Sequence, residues 1–153
     1  MSLDLLTYRN TALSHAMAAG LFGNVLDHEP VSAPGSGLTA AFWVSRIGPV
    51  PLGSGLNKTT ARLELMARIL MPADTEPQGE VDTAVTGAVD ALLTAYSGDF
   101  QFGGNVRLVD LLGAYGTALQ AEFGYTSFAG GTTYRVATLT IPLIISDAWA
   151  QVA

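Results

Sequence analysis

The chain contains no cysteine. Disulfides, thiolate metal sites and cysteine nucleophiles are therefore excluded. Charge is scarce too: Asp, Glu, Lys and Arg make up 13% of the 153 residues, about half the usual share. Hydrophobic residues make up 49%, so the material for a core is ample. A surface with so few charges suggests that other chains cover part of it. Positive charge is the scarcer sign, with seven residues scattered at Arg9, Arg46, Lys58, Arg62, Arg68, Arg107 and Arg135 and a net charge of −6. No basic stripe with interleaved aromatics forms, so a nucleic-acid backbone has little to hold it. The longest apolar runs are strand-sized, short of the roughly 20 residues of a membrane helix. The opening Met-Ser-Leu-Asp-Leu-Leu lacks the basic and apolar regions of a signal peptide.

What is present reads as one α+β domain, because the length suits one domain rather than two. Ser2 as cap and Asp4 in the first turn predict a helix over 3–19, with Leu6, Ala12, Leu13, Ala16 and Met17 recurring at helical spacing and Gly20 as its stop. A short strand is expected near 23–27. Strands are predicted over 38–47 and 59–71, joined by a long tip at 48–57 that holds Pro49, Pro51, Gly53 and Gly55. Leu63, Leu65, Ala67, Ile69 and Met71 alternate with Arg62, Glu64, Met66 and Arg68, so one face should be buried and the other charged. Val81, Val85, Ala88, Val89, Leu92 and Tyr96 form one helical stripe over 80–96. Strands are expected at 105–112, 114–126 and 133–146, with a turn at 129–132. Tyr115, Thr117, Leu119, Ala121 and Phe123 should share one face of the second. Pro142 cannot donate to a ladder, so the last strand should be at an edge or bulged there. The sum is a mainly antiparallel sheet packed with two helices.

No motif for chemistry emerges. Asp27-His28-Glu29 cannot all point at one ion from a strand, and zinc needs three or four converging ligands. Ser14 and His15 diverge by about 100° on a helix and cannot pair as nucleophile and base. Gly55-Leu56-Asn57-Lys58-Thr59 resembles a phosphate loop but precedes a strand rather than a helix. Asp74, Glu76, Glu80 and Asp82 are explained by helix capping on an exposed loop. No catalytic residue, cofactor or metal site is assigned, and the chain reads as a non-enzyme. Trp43 opposes Phe42 and Val44, so its face needs a cover, from a helix of this chain or from a neighbouring subunit. Trp149 is read as the anchor of a short tail over 147–153.

Four features together resemble the tail terminator (tail completion) proteins of bacteriophages with long, non-contractile tails. They are the helix at 3–19, the long-looped hairpin 38–71, the acidic-capped helix 80–96 and the closing strand Tyr134-Arg135-Val136-Ala137-Thr138-Leu139-Thr140-Ile141-Pro142-Leu143. The resemblance spans nearly the whole chain and rests on pattern rather than on invariant residues. It implies a non-enzymatic virion subunit, assembled in the host cytoplasm as a hexameric ring. Such a ring caps the tail tube, binding the tail tube protein on one side and a neck or head-closure protein on the other. DNA would pass through without specific binding, and acidic residues would suit that wall. No membrane is involved. Region-level contact candidates are Val50, Leu52, Leu56 and Lys58 on the 48–57 tip and its edge, with Trp43 and Trp149. The alternatives are another neck or head-closure subunit and a small-ligand-binding α+β domain, which would need an apolar pocket with converging polar groups.

Overall fold

A computed structural model describes residues 3–51, 54–55, 57–128 and 130–151. Asp4 caps the first helix, α1 (Leu5–Ala19), by accepting hydrogen bonds from the Thr7 amide at 3.3 Å and the Thr7 hydroxyl at 2.6 Å. The helix therefore starts later than the sequence suggests, and Asp4 is the cap itself; Ser2 lies outside the described residues. Gly20 closes it at φ 68°, and its N–H donates to the Met17 carbonyl, a left-handed position suited to glycine. The buried stripe is Tyr8, Ala12, Leu13 and Ala16, whereas Leu6 and Met17 are exposed. Both lie roughly 100° around the helix from the centre of that stripe.

The sheet holds six strands among the described residues: β1 (Asn24–Leu26), β2 (Thr39–Pro49), β3 (Lys58–Pro72), β4 (Leu108–Val109), β5 (Gln120–Ser127) and β6 (Thr133–Ala150). Their order is β1-β2-β3-β6-β4, with β5 also paired to β6. β1 is parallel to β2 and every other pairing is antiparallel. The second helix, α2 (Gly79–Gly98), has Glu80 and Asp82 in its first turn, where the dipole favours carboxylates. This is a single α+β domain with both helices on one sheet face.

Period-two alternation sets that face. Leu63, Leu65, Ala67 and Ile69 of β3 are fully buried under the helices, as are Ala40 and Phe42 of β2 and Ala137, Leu139, Ile141 and Leu143 of β6. Val85, Ala88, Val89, Leu92 and Tyr96 of α2 meet them. Each large apolar side chain buried here contributes about 1.5–3 kcal/mol. The buried Tyr96 hydroxyl donates to the Ala12 carbonyl at 3.1 Å and so ties α2 to α1. Burial raises its pKa above the ordinary tyrosine value.

Three expectations need correction. Residues 105–112 hold only the two-residue β4, and 114–119 form a loop. The Asp110 carboxylate accepts from the Ala114 and Tyr115 amides at 2.8 and 2.9 Å, and these bonds replace a ladder. Pro142 is not on an edge strand, because β6 has β3 on one side and β4 and β5 on the other. It sits in the gap between them, after the Gln120–Thr140 pair and before the Val109–Leu143 pair. Its carbonyl accepts from the Asp110 amide there, so no ladder donor is lost. Finally, β6 continues to Ala150, and Trp149 is a strand residue opposite Thr59 rather than part of a tail. The strand gets there by a register shift between Thr59 and Ala61, with Asp147 at φ 53°.

Candidate functional site

Among the described residues no helix lies on the second face of the sheet. Loops cover its two ends. At one end Leu70, Tyr134 and Val136 cluster with Phe128. The Tyr134 hydroxyl donates to the Gly35 carbonyl at 3.1 Å and accepts from the Gly35 amide at 3.2 Å, which lays the loop before β2 onto the sheet. At the other end Arg62 gathers the 110–119 loop. Its guanidinium donates to Asp110 Oδ2 at 3.1 Å, to Glu64 Oε1 at 3.3 Å and to the Thr117 carbonyl.

Between the loops lie Trp43, Met66, Arg68, Thr138 and Thr140, all half-buried. The Arg68 guanidinium sits over the Trp43 ring, 5.6 Å from its centroid. Arg68 Nε is buried without a hydrogen-bond partner, and no carboxylate pairs with this arginine among the described residues. The cover that Trp43 requires is thus only partly supplied by its own chain.

The other contact candidates within the described residues, Val50, Lys58 and Trp149, do not converge on Trp43. Val50 is buried, with its amide donating to the Thr60 carbonyl, so it points inward from the tip. Leu52 and Leu56 lie outside the described residues. Lys58 is exposed and pairs with Ala150, and Trp149 beside it is half-buried. The Gln151 side chain donates to the Gly55 carbonyl at 3.0 Å and to the Thr59 hydroxyl at 2.9 Å, tying the tip to the end of β6. Trp43 is level with Met66 of β3 and Trp149 with Thr59, so Trp149 stands roughly 23 Å further along the sheet at the ordinary strand rise.

Sequence reasoning missed the surfaces at the two sides of the sheet. β1 stops opposite Ala41, and from Phe42 onward no described strand neighbours β2 on that side. Beside that edge is a groove of about 590 Å³ with an apolar wall of Leu5, Leu6, Trp43 and Val44 and a polar rim of Arg9, Asp27, His28 and Glu29. On the far side β5 is an open edge, where Phe123 is 42% and Tyr125 67% exposed. Arg135 lies across both rings, at 5.5 and 4.9 Å from their centroids, and pairs with Asp82 of α2 at 2.9 Å. The alternation in β5 was legible; that its apolar face extends beyond the helices was not.

Both histidines are paired with a carboxylate. His28 Nδ1 is 3.0 Å from Asp27 Oδ1, and this contact holds the Asp27 carboxyl below its usual pKa. His15 Nε2 is 2.9 Å from Asp99 Oδ2, beside Tyr96 and Phe102. The Ser14 hydroxyl turns away and donates to the Asn10 carbonyl. No group of three or more metal-ligating side chains forms among the described residues, and none of their helices is long and apolar enough to cross a membrane.

Asp99 gives a pH prediction. The Gly103 amide donates to its carboxylate at 2.9 Å, and this bond, with His15, lowers its pKa despite some desolvation. A depressed carboxylate stabilises the fold above its unfolded pKa, about 3.9, and that contribution is lost as pH falls through the folded value. Asp99→Asn should therefore flatten the fall in melting temperature on acidification below about pH 4. Parallel acid limbs for variant and wild type would show that the carboxylate has no such role.

No protein-family model matches the chain, and no curated protein matches it in sequence.

Proposed function

We propose that this chain is a structural virion subunit. It forms a ring that caps the tail tube of a long, non-contractile-tailed bacteriophage and offers the surface on which the head docks. The observation that carries this reading is the arrangement of elements: helix, long-looped hairpin, acidic-capped helix and long closing strand, joined in one sheet with helices on a single face. The uncovered face, with Trp43 and the unpaired Arg68, supports it, because such a surface suits burial by another chain. So does the charge content of 13%, since subunit contacts remove surface that would otherwise need solvation. Acidic side chains toward the lumen would let DNA slide rather than stick.

The test is assembly. Light scattering across a concentration range, followed by imaging, should find closed rings of six copies of the 15.9 kDa chain, and these should bind the end of polymerised tail tube protein. A protein that stays monomeric at every concentration and ignores the tube sinks the reading. Binding to a head-closure assembly but not to the tube would move it to the neck.

A further inference from the structure

We infer that copies of this chain join by sheet extension, with the β5 edge of one copy seated in the groove beside the β2 edge of the next. The inference deepens the ring reading by naming the joining surface, and rests on it only for closure of the ring.

Both halves of the junction are in the fold. β5 has eight residues, no register shift against β6 and no proline. Of the usual devices that block an edge, β5 thus has neither proline nor bulge, only the single charge of Glu122. The open part of β2, Phe42–Pro49, has the same length. The two edges lie on opposite sides of one sheet, so the contact is head-to-tail and can repeat around a ring. Three antiparallel pairings separate β2 from β5. The two strands therefore run in opposite senses, and a neighbour placed in the same orientation presents β5 antiparallel to β2. That ladder pairs the backbone groups of β5 with those of β2 on either side of the β2 bulge at Ser45, while Pro49 at its end has no N–H to give.

The side chains agree on both faces. On the helix side, Phe123 and Tyr125 meet Val44 and the groove wall of Leu5 and Leu6, which are 39% and 59% exposed. On the other face β5 carries its one charge, Glu122, opposite Thr138. β2 carries exposed Arg46 on that same face, opposite Glu64, and Arg46 has no ion-pair partner among the described residues. Joining the edges brings an unpaired carboxylate toward an unpaired guanidinium. The groove's occupant is thus a second copy of this chain.

The absence of native cysteine makes the test direct. Single-cysteine chains Glu122→Cys and Arg46→Cys are mixed and treated with a short bismaleimide. The mixture should give a linked heterodimer, while each chain alone should give none, because every junction then holds one thiol. Separately, Glu122→Arg or Arg46→Glu should weaken self-association about tenfold or more, and the doubly swapped chain should recover it. Self-linking of the Glu122→Cys chain would mean a two-fold β5–β5 contact and overturn the inference. So would absence of the mixed product, whether the protein forms rings, which leaves the ring reading standing, or does not associate. A mixed product from a protein that neither closes into rings nor binds tail tube keeps the sheet extension and removes the ring reading.

Discussion

Asp110→Ala should lower the unfolding free energy by about 3–5 kcal/mol, the range for removing one partner of a buried ion pair. The Asp110 side chain is 2% exposed and that of its partner Arg62 13%. Its carboxylate accepts from Arg62, from the Ala114 amide and from the Tyr115 amide. Removing it takes the most buried acceptor from a largely buried guanidinium, which keeps Glu64 and the Thr117 carbonyl, and leaves two loop amides without their acceptor. Asp110→Asn sharpens the test. All three neighbours are donors, and asparagine exchanges one acceptor oxygen for another donor. The near-isosteric change should therefore cost almost as much as alanine. Urea unfolding measures both. An asparagine variant within about 1 kcal/mol of wild type would show that charge and acceptor count do not hold this loop.

Phe102 offers the second large effect. Its ring is fully buried, 5.7 Å from Tyr96 and 6.2 Å from His15 by centroid. Its backbone is left-handed at φ 47°, a conformation that costs a side-chain-bearing residue about 1–2 kcal/mol. Burial of the ring outweighs that cost. Phe102→Ala should lose about 3–5 kcal/mol while keeping the backbone strain. Phe102→Gly loses the same ring but relieves the strain, which offsets glycine's entropic penalty of about 0.5–1 kcal/mol. The glycine variant should be at least as stable as the alanine variant, the reverse of the usual order. Thermal melts of the pair decide it; glycine clearly below alanine would mean that the strain is not there.

The central strands were legible because one face of β3 is fully buried and the other, from Arg62 to Arg68, only half-buried. Leu63, Leu65, Ala67 and Ile69 therefore write a clean alternation. The α2 stripe from Val81 to Tyr96 was legible for the same reason. α1 was less so. Two of its four buried residues are alanines, while Leu6 and Met17 look inward by type and face solvent. The run after residue 105 looked like strand because periodicity cannot register a side chain such as Asp110 taking over backbone bonds. Trp149 looked like a tail anchor because a strand that passes through a bulge loses its alternation. The candidate surface was the least legible part. Phe123 and Leu5 are the same residue types as core members, and only the fold shows where the helices stop short of them.

β6 has a further consequence, for how the domain forms. It touches β3, β4 and β5, yet it is the last element of the domain in chain order. During synthesis α1, the β2–β3 hairpin and α2 emerge with one whole side of β3 unclaimed. The core cannot close until residues 133–150 leave the ribosome. Pairings between distant parts of a chain form slowly, in milliseconds to seconds rather than microseconds. In that interval the nascent domain carries a fifteen-residue strand as an open template, and shielding it from neighbouring nascent chains falls to the cell.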